Sequence, residues 1–431
     1  MRVALWLMGI FAVAVAVALF AGNDPGTITL FWPPLRLDLS LNLFLLLLGL
    51  LFVALHLALR TLVVFFGLPQ QAQRWRMQQR ERAIQSALLD AIAHLISGRF
   101  IRGRKTAELV VSLEDAMVQS GEPLAYAERL RTLAHVLAAE SAHALQDRVL
   151  REKHLRLALE QSLAREAQEM RDGVQLCAAR WALDDQDASQ ALDWLDLLPH
   201  GAARRTVALR LRFKATRMAG KTLQALEVAR LLGKHRAFSQ SAGRSIQRAL
   251  ALELLHAAHG PLQLQRVWDS LESSEREMPD VAMHAVQGLL AQQGDAALAR
   301  SWLLPVWNAL LQQPQSLDLR QKVRLVRLLE TSFGPEPQTP DAQWLGRIES
   351  AQMAHPRDVA LQYLAGMVCM RLQLWGKAQQ LLKQALALLQ DPSLKRDAWR
   401  ALAEIAEQRQ DSATATEAYR QALKEAAGGD V

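Results

Sequence analysis

The chain has little of what catalytic and secreted domains are built around. Cysteine is nearly absent: Cys177 and Cys369 are the only two in 431 residues, far apart, each in apolar helical surroundings. No CxxC pair occurs, which excludes a disulfide framework, reads both as buried thiols and suits a reducing compartment. There is no Walker loop, no G-x-S-x-G, no HExxH and no CxxCH. GRFIRG (98–103) lacks the glycine spacing of a dinucleotide fingerprint. These absences remove the usual signatures of phosphate-binding, hydrolytic, zinc-protease and haem-attachment sites. The expectation is a protein that is not an enzyme, with no catalytic residue, no metal and no cofactor. Period-two alternation is also scarce beyond Pro69, where Ala, Leu, Gln and Arg dominate and favour helix.

What is present is apolar length. Val3–Ala21 runs 19 residues and Leu39–Leu59 runs 21 without an acid, lysine or arginine. Each would cross roughly 30 Å of hydrocarbon as a helix. The first run could instead be a cleaved leader behind Arg2, but it lacks a clean small-x-small site before Asn23-Asp24. Between the runs, Gly26–Asn42 alternates on both sides of Trp32-Pro33-Pro34. That pattern predicts a β-like connector over 26–38, with a loosely structured loop as the alternative. His56, inside the second run, reads as a snorkelling or packed imidazole.

Charge sets the orientation. From Arg60 to Lys105 nine basic residues face only Glu81 and Asp90, an excess of seven that equals the formal charge of the whole chain. The remainder is neutral in sum, which argues against a nucleic-acid-binding body. A basic flank beside a span stays cytoplasmic. Arg60, Arg74, Arg76, Arg80 and Arg82 are therefore expected to be membrane-proximal, either beside the anionic lipid headgroups of a bilayer or as an orientation signal alone. The localisation implied is a bacterial inner membrane, multi-pass, with the C-terminal body in the cytoplasm.

The body reads as tandem helix pairs. Trp399, Leu402, Ala403, Ala406, Ala415, Tyr419 and Ala422 follow the tetratricopeptide spacing, and Gly366, Ala378, Leu382 and Ala385 hold the same offsets one unit earlier. Small residues at 366/403 and 378/415 let paired helices approach, while Leu382 and Tyr419 are expected to fill the gap to the next unit. Ala188, Ala225 and Ala299 repeat the phase at 37 and twice 37 residues. PDVA from Pro279 and PRDVA from Pro356 open alike, and a degenerate unit spans Leu137 to Ala158. GPEPQTP (334–340) interrupts the period and predicts a long loop. The fold class expected is all-α: an N-terminal two-helix transmembrane hairpin (spans 3–21 and 39–59, connector 26–38), then a degenerate tetratricopeptide-like α-solenoid. Its parts would be a membrane hairpin (1–66), a basic juxtamembrane helix with a first repeat region (67–165), degenerate repeats (166–333) and C-terminal repeats (341–431). A non-repeat helical bundle is the alternative.

Among the histidines, Glu253, His256 and His259 at i, i+3 and i+6 could share a helix face and a divalent metal. No cluster elsewhere completes such a site, and a histidine at a helix end simply complements the dipole. His135, His143 and His154 read as partly buried or surface groups.

The order of these features resembles the HemY family of proteobacterial inner-membrane proteins. The likeness is carried by Gly26–Asn42, by the exit Leu59–Arg82, and by ALLDAIAHLISGRFIRGRKTAE (87–108) with its Gly98-Arg99-Phe100 turn. The resemblance implies a membrane scaffold or regulator associated with late haem biosynthesis, organising cytoplasmic enzymes as its protein partners. The unrelated flavin-dependent protoporphyrinogen oxidase of the same name is disfavoured by the missing fingerprint. A porphyrin-binding protein using a histidine or Cys369/Met370 as axial ligand, and a general envelope assembly factor, stay open as alternatives.

Overall fold

In a computed structural model of the protein, the residues described are 26–121, 123–161, 168–313, 315–334 and 342–428, with 9, 10, 13 and 17. At 42, 45, 62–74, 342, 427 and 428 the backbone alone is described. The chain divides into two compact units, Met1–Arg171 and Asp172–Val431.

In the first unit, β1 (Thr27–Trp32) pairs antiparallel with β2 (Leu35–Ser40), in register from Thr27↔Ser40 to Trp32↔Leu35. Pro33 and Pro34 make the turn, where a missing N–H costs no ladder bond. The connector expected over 26–38 is thus a hairpin that runs on to Ser40. The Leu41 N–H donates to Gly26 O at 2.9 Å and closes its base, and Ser40 Oγ caps the next helix by accepting from Leu43 N at 3.4 Å.

That helix, α1 (Leu41–Ile96), has 56 residues and a length of about 84 Å at 1.5 Å per residue. No helix end falls near Leu59 or at 66, where the membrane part was expected to stop. Strong helix formers lie on both sides, and Pro69 is accommodated inside the helix. Of the two expected spans, the first lies mostly outside the described residues. Among the described residues no helix is long and apolar enough to cross a membrane.

The C-terminal part of α1 packs against α2 (Phe100–Gln119) and α3 (Ala127–Ala144), and α3 pairs with α4 (Arg148–Gln161). Their core holds Ile84, Val110, Met117, Leu130 and Ala134, continued by Ala91, Ala107 and Ala138. Gly98 sits at φ +73° and lets the Arg99 N–H reach back to His94 O at 2.8 Å, which turns α1 into α2. At Gly103 a Cβ would lie 3.1 Å from Ser141 Oγ, so the missing side chain sets the approach of α2 to α3.

The second unit is a succession of helices. It opens with α5 (Gln168–Asp184), α6 (Ala188–Asp196), α7 (His200–Ala203), α8 (Thr206–Met218), α9 (Thr222–Lys234) and α10 (Gln240–His256). After these come α11 (Pro261–Ser270), α12 (Ser273–Arg276), α13 (Pro279–Ala291), α14 (Ala296–Gln312) and α15 (Leu319–Ser332). It ends with α16 (Ala342–Ala354), α17 (Val359–Arg371), α18 (Trp375–Leu386), α19 (Pro392–Gln408) and α20 (Ser412–Gly428). Partners within a pair touch, and so do the first helices of successive pairs: α10 with α13, α13 with α15, α15 with α17, α17 with α19. Such nearest-neighbour packing is how helical repeats bury a continuous core. Stacked Trp268 and Trp302 (ring centroids 4.6 Å apart) and edge-on Trp307 and Trp344 (5.8 Å) fill its middle.

One turn recurs. Gln186, Gly220, Gln293, Gln373 and Gln410 all adopt φ between 55° and 67°, each ending the first helix of a pair. The next N–H then reaches back to a carbonyl five residues earlier: Asp187 to Ala182, Lys221 to Thr216, Gly294 to Leu289, Leu374 to Cys369, Asp411 to Ala406, at 2.8–3.0 Å. Gln146 and Asp147 make the same turn between α3 and α4. The fourth residue of the helix that follows each of these five turns is a buried alanine: Ala191, Ala225, Ala299, Ala378, Ala415. The phase assigned to Ala188 is therefore corrected to Ala191, because Ala188 directly follows the cap Asp187 and opens α6. The role assigned to Leu382 also changes. A Cβ on Gly366 would come within 2.8 Å of Leu382 Cγ, so Leu382 fills the space inside its own helix pair. Leu402, Ala403, Ala385 and Ala422 are buried, and Trp399 and Tyr419 are half-buried. The interruption expected at 334–340 lies outside the described residues from 335 onward.

Candidate functional site

Two kinds of surface stand out, one in each unit, together with one buried polar cluster. In the first unit, Leu46, Leu47, Leu48, Leu50, Leu51, Phe52, Val53, Leu55, Leu57 and Leu59 are all exposed. They surround α1 on every side instead of forming one stripe, whereas a helix on a soluble body is apolar on one face only. Leu30, Phe31, Trp32, Leu35 and Leu37 extend the apolar surface over the hairpin, with the Arg36 guanidinium 4.2 Å over the Phe31 ring. Of the basic residues expected beside this surface, Arg60, Arg76, Arg80 and Arg82 are exposed, and the Arg74 side chain lies outside the described residues. Arg80 donates to Ser120 Oγ at 3.2 Å. On a continuous helix Arg76 stands about 24 Å beyond Arg60 and Arg82 about 33 Å.

The buried cluster lies between α2, α3 and α4. His135 Nδ1 and His154 Nδ1 are 3.2 Å apart, both side chains buried, and His154 Nε2 is 3.5 Å from Glu108 Oε1. The proton arrangement that satisfies all three has His154 Nε2–H facing Glu108 and His135 Nδ1–H donating to His154 Nδ1. Burial pushes His135 down to about 4, helped by His154, Arg131 and Lys153. Burial also lowers His154, while Glu108 opposes the shift. Beside them Arg131 bridges Glu114 and Asp115. Sequence reading had these histidines as bland. What brings them together is tertiary: they lie on the two helices that the Gln146-Asp147 turn folds against each other.

These shifts have a signed consequence. A histidine neutral when folded and ordinary when unfolded binds fewer protons in the native state between pH 6.5 and about 4. Stability is therefore full above pH 6.5 and falls as pH drops through that window, by roughly 3 kcal/mol for His135. Hydrogen exchange of α3 and α4 amides is expected to accelerate between pH 7 and 4.5, after correction for intrinsic rates. His135→Gln is expected to flatten that dependence; a dependence as steep as in the parent protein would show that His135 does not cause it.

In the second unit the first helices of successive pairs are laced by polar side chains. Arg217 donates to Glu253 at 2.6 Å, Arg248 to Asp280 at 2.9 Å, Arg324 to Gln287 at 2.7 Å and Tyr363 to Glu330 at 2.9 Å. Each joins residues 32 to 37 positions apart, about one repeat. Burial raises the Glu330 carboxyl, and the Tyr363 hydroxyl opposes the shift by donating to it. Between α6, α7, α8 and α9 lies a cleft of about 630 Å³ lined by Asp193, Asp196, Arg204, Arg212, Lys221 and Glu227, a mixed-charge surface suited to polar peptide contacts.

Residues 26–146 match the family model described as HemY protein N-terminus. Over these 121 of its 431 residues the chain is similar to the HemY family. The HemY match spans the hairpin and α1 to α3, ends at the left-handed Gln146, and contains His135 but not its partner His154. No curated protein matches. Similar solved structures include one titled "Structure of Naa15/Naa10 bound to HypK-THB", at 12% identity and TM-score 0.23, over 76% of this chain and 57% of that one. Another is the P58(IPK) TPR domain, at 11% identity and TM-score 0.21, over 81% of this chain and 99% of that one. The chain thus spans little more than half of the first of these.

The remaining sequence candidates fall in different places. Glu253 is engaged by Arg217 and by Thr222 Oγ1 at 2.9 Å, α10 ends at His256, and the His259 N–H donates to Gln263, so the three do not form one face. Among the described residues no group of three or more histidine, cysteine, aspartate or glutamate side chains could hold a metal ion. Cys369 is buried on α17 and burial pushes its thiol up, away from the thiolate that an axial haem ligand requires.

Proposed function

We propose that this chain is a membrane-anchored helical-repeat scaffold, not an enzyme, that gathers protein partners at the inner membrane. The observation that carries the reading is the leucine-rich circumference of α1 between Leu46 and Leu59, exposed on all sides, on the helix that also builds the first unit's core. An aqueous surface would not tolerate such a cylinder, and a bilayer would. The basic flank from Arg60 onward favours a cytoplasmic body. The repeat ladder and the mixed-charge cleft are suited to proteins, and gathering partners on one array raises their effective concentration without new chemistry. The likeness of residues 26–146 to the HemY family supports a connection of the scaffold to late haem biosynthesis, whose enzymes are the partners proposed.

The test is affinity purification of the full-length protein from detergent-solubilised membranes, with partner identification and an absorbance scan of the same eluate. Late haem-pathway enzymes enriched without a Soret band are the expected result. A stoichiometric Soret band abolished by one histidine or cysteine substitution would replace the scaffold by a porphyrin-binding protein. Envelope proteins enriched instead of haem enzymes would make it a general assembly factor.

A further inference from the structure

The end of the first unit opposite the apolar cylinder carries a second exposed apolar surface that the anchoring reading does not use. Four helix ends meet there: the C-terminus of α1, the N-terminus of α2, the C-terminus of α3 and the N-terminus of α4. Ile96 and Val149 are 82% and 81% exposed, the most open large apolar side chains among the described residues, and Ile101 and Leu145 are exposed beside them. A cleft of about 490 Å³ opens here, lined by Gly98, Arg99, Phe100, Ile101, Arg102 and Leu145.

The charge of this cleft has one sign. Arg99 and Arg102 line it and Lys105 follows one turn later; among the described residues neither arginine makes an ion pair. The nearby acids are committed elsewhere. Asp147 caps α4 by accepting from Leu150 N at 3.1 Å, and Glu108 faces Arg104 and His154. Core packing does not require the apolar groups: the helices are already held by Ala91, Ala107, Ala138 and the Gly103–Ser141 contact. An exposed apolar cluster rimmed by unpaired cations complements a segment that offers an apolar anchor between carboxylates.

We propose that this tip docks an acidic, apolar-anchored segment of a partner protein, its apolar side chain in the Ile101–Leu145 cleft and its carboxylates on Arg99 and Arg102. A lipid surface has similar chemistry, but Ile96 lies about 52 Å along α1 from Thr61, so the membrane that receives the cylinder does not reach the tip. That exclusion rests on the anchoring reading; the docking chemistry does not.

The experiment is photo-crosslinking in intact cells with the full-length protein carrying Ile96→p-benzoylphenylalanine or Val149→p-benzoylphenylalanine, followed by sequencing of the cross-linked peptides. The expected result is a protein adduct whose peptide holds several Asp or Glu residues around an apolar side chain. Arg99→Glu with Arg102→Glu should lower it by about tenfold, and Arg99→Lys with Arg102→Lys should largely preserve it. Both residues are exposed, so these changes leave the core alone. An adduct to phospholipid, an adduct to a second copy of the chain, a peptide without acids, no adduct, or an adduct indifferent to charge reversal would each overturn the proposal. Failure of anchoring is a separate outcome: the protein would leave the membrane on carbonate extraction with its tip adduct intact.

Discussion

Leu50→Arg combined with Leu51→Arg is expected to move the full-length protein out of the carbonate-resistant membrane fraction. Both side chains are exposed on α1, near the middle of the apolar run that begins at Leu39 and ends at Leu59. An arginine at the centre of a spanning helix costs roughly 2.5–3.5 kcal/mol on insertion scales, so two cost about 5–7 kcal/mol, enough to reverse an otherwise favourable insertion. The control lies on the same helix. Leu89 is also exposed, but it belongs to the part that packs against α2, and Leu89→Arg should leave membrane retention unchanged. Fractionation of both variants decides the matter. If the double variant stays in the membrane like the parent protein, the cylinder is not the anchor and its leucines await a protein partner.

Trp307→Ala is expected to be the most destabilising single change in the second unit. The indole is fully buried on α14 and meets Trp344 edge-on, with ring planes at 66°. Truncating a buried tryptophan costs about 3–5 kcal/mol, part of it for the cavity left behind. In a stacked array that loss falls on the interface between neighbouring pairs, so it should uncouple them instead of lowering stability evenly. Hydrogen exchange should therefore rise in α14, α15 and α16 well before it rises in α8 and α9. Among the described residues the Trp307 Nε1–H has no hydrogen-bond partner. Trp307→Phe, which keeps most of the volume and breaks no bond, should cost about 1.5 kcal/mol or less. Equal losses for Ala and Phe, or a uniform rise in exchange, would show that the array is not coupled through this residue.

Much of the architecture was written in local patterns. Alternation on both sides of Pro33-Pro34 specified the hairpin, because side chains of a strand take opposite faces in turn. Small residues at Gly366, Ala378, Ala403 and Ala415 specified where paired helices touch, because only small side chains permit that approach. The repeat turns were legible too, though through a different residue from the alanines used to find them. The left-handed glutamine before a helix cap marks the joint in pair after pair, and it places Ala191, not Ala188, in phase.

Composition and periodicity by themselves determined that this protein is helical, that its charge excess sits beside an apolar run, and that its second half repeats. These are properties of consecutive residues, and helix propensity, hydrophobic period and charge density act over one or two turns. Only the tertiary structure decided that α1 continues unbroken from the apolar run into the first core, which spreads Arg60 to Arg82 over about 33 Å of one helix. It also decided that His135 and His154 meet in a buried pair, and that Ile96, Ile101, Leu145 and Val149 converge at one tip. Each of these depends on which helix ends the turns at Gly98 and Gln146 bring level, a relation between residues distant in the chain that no local pattern encodes.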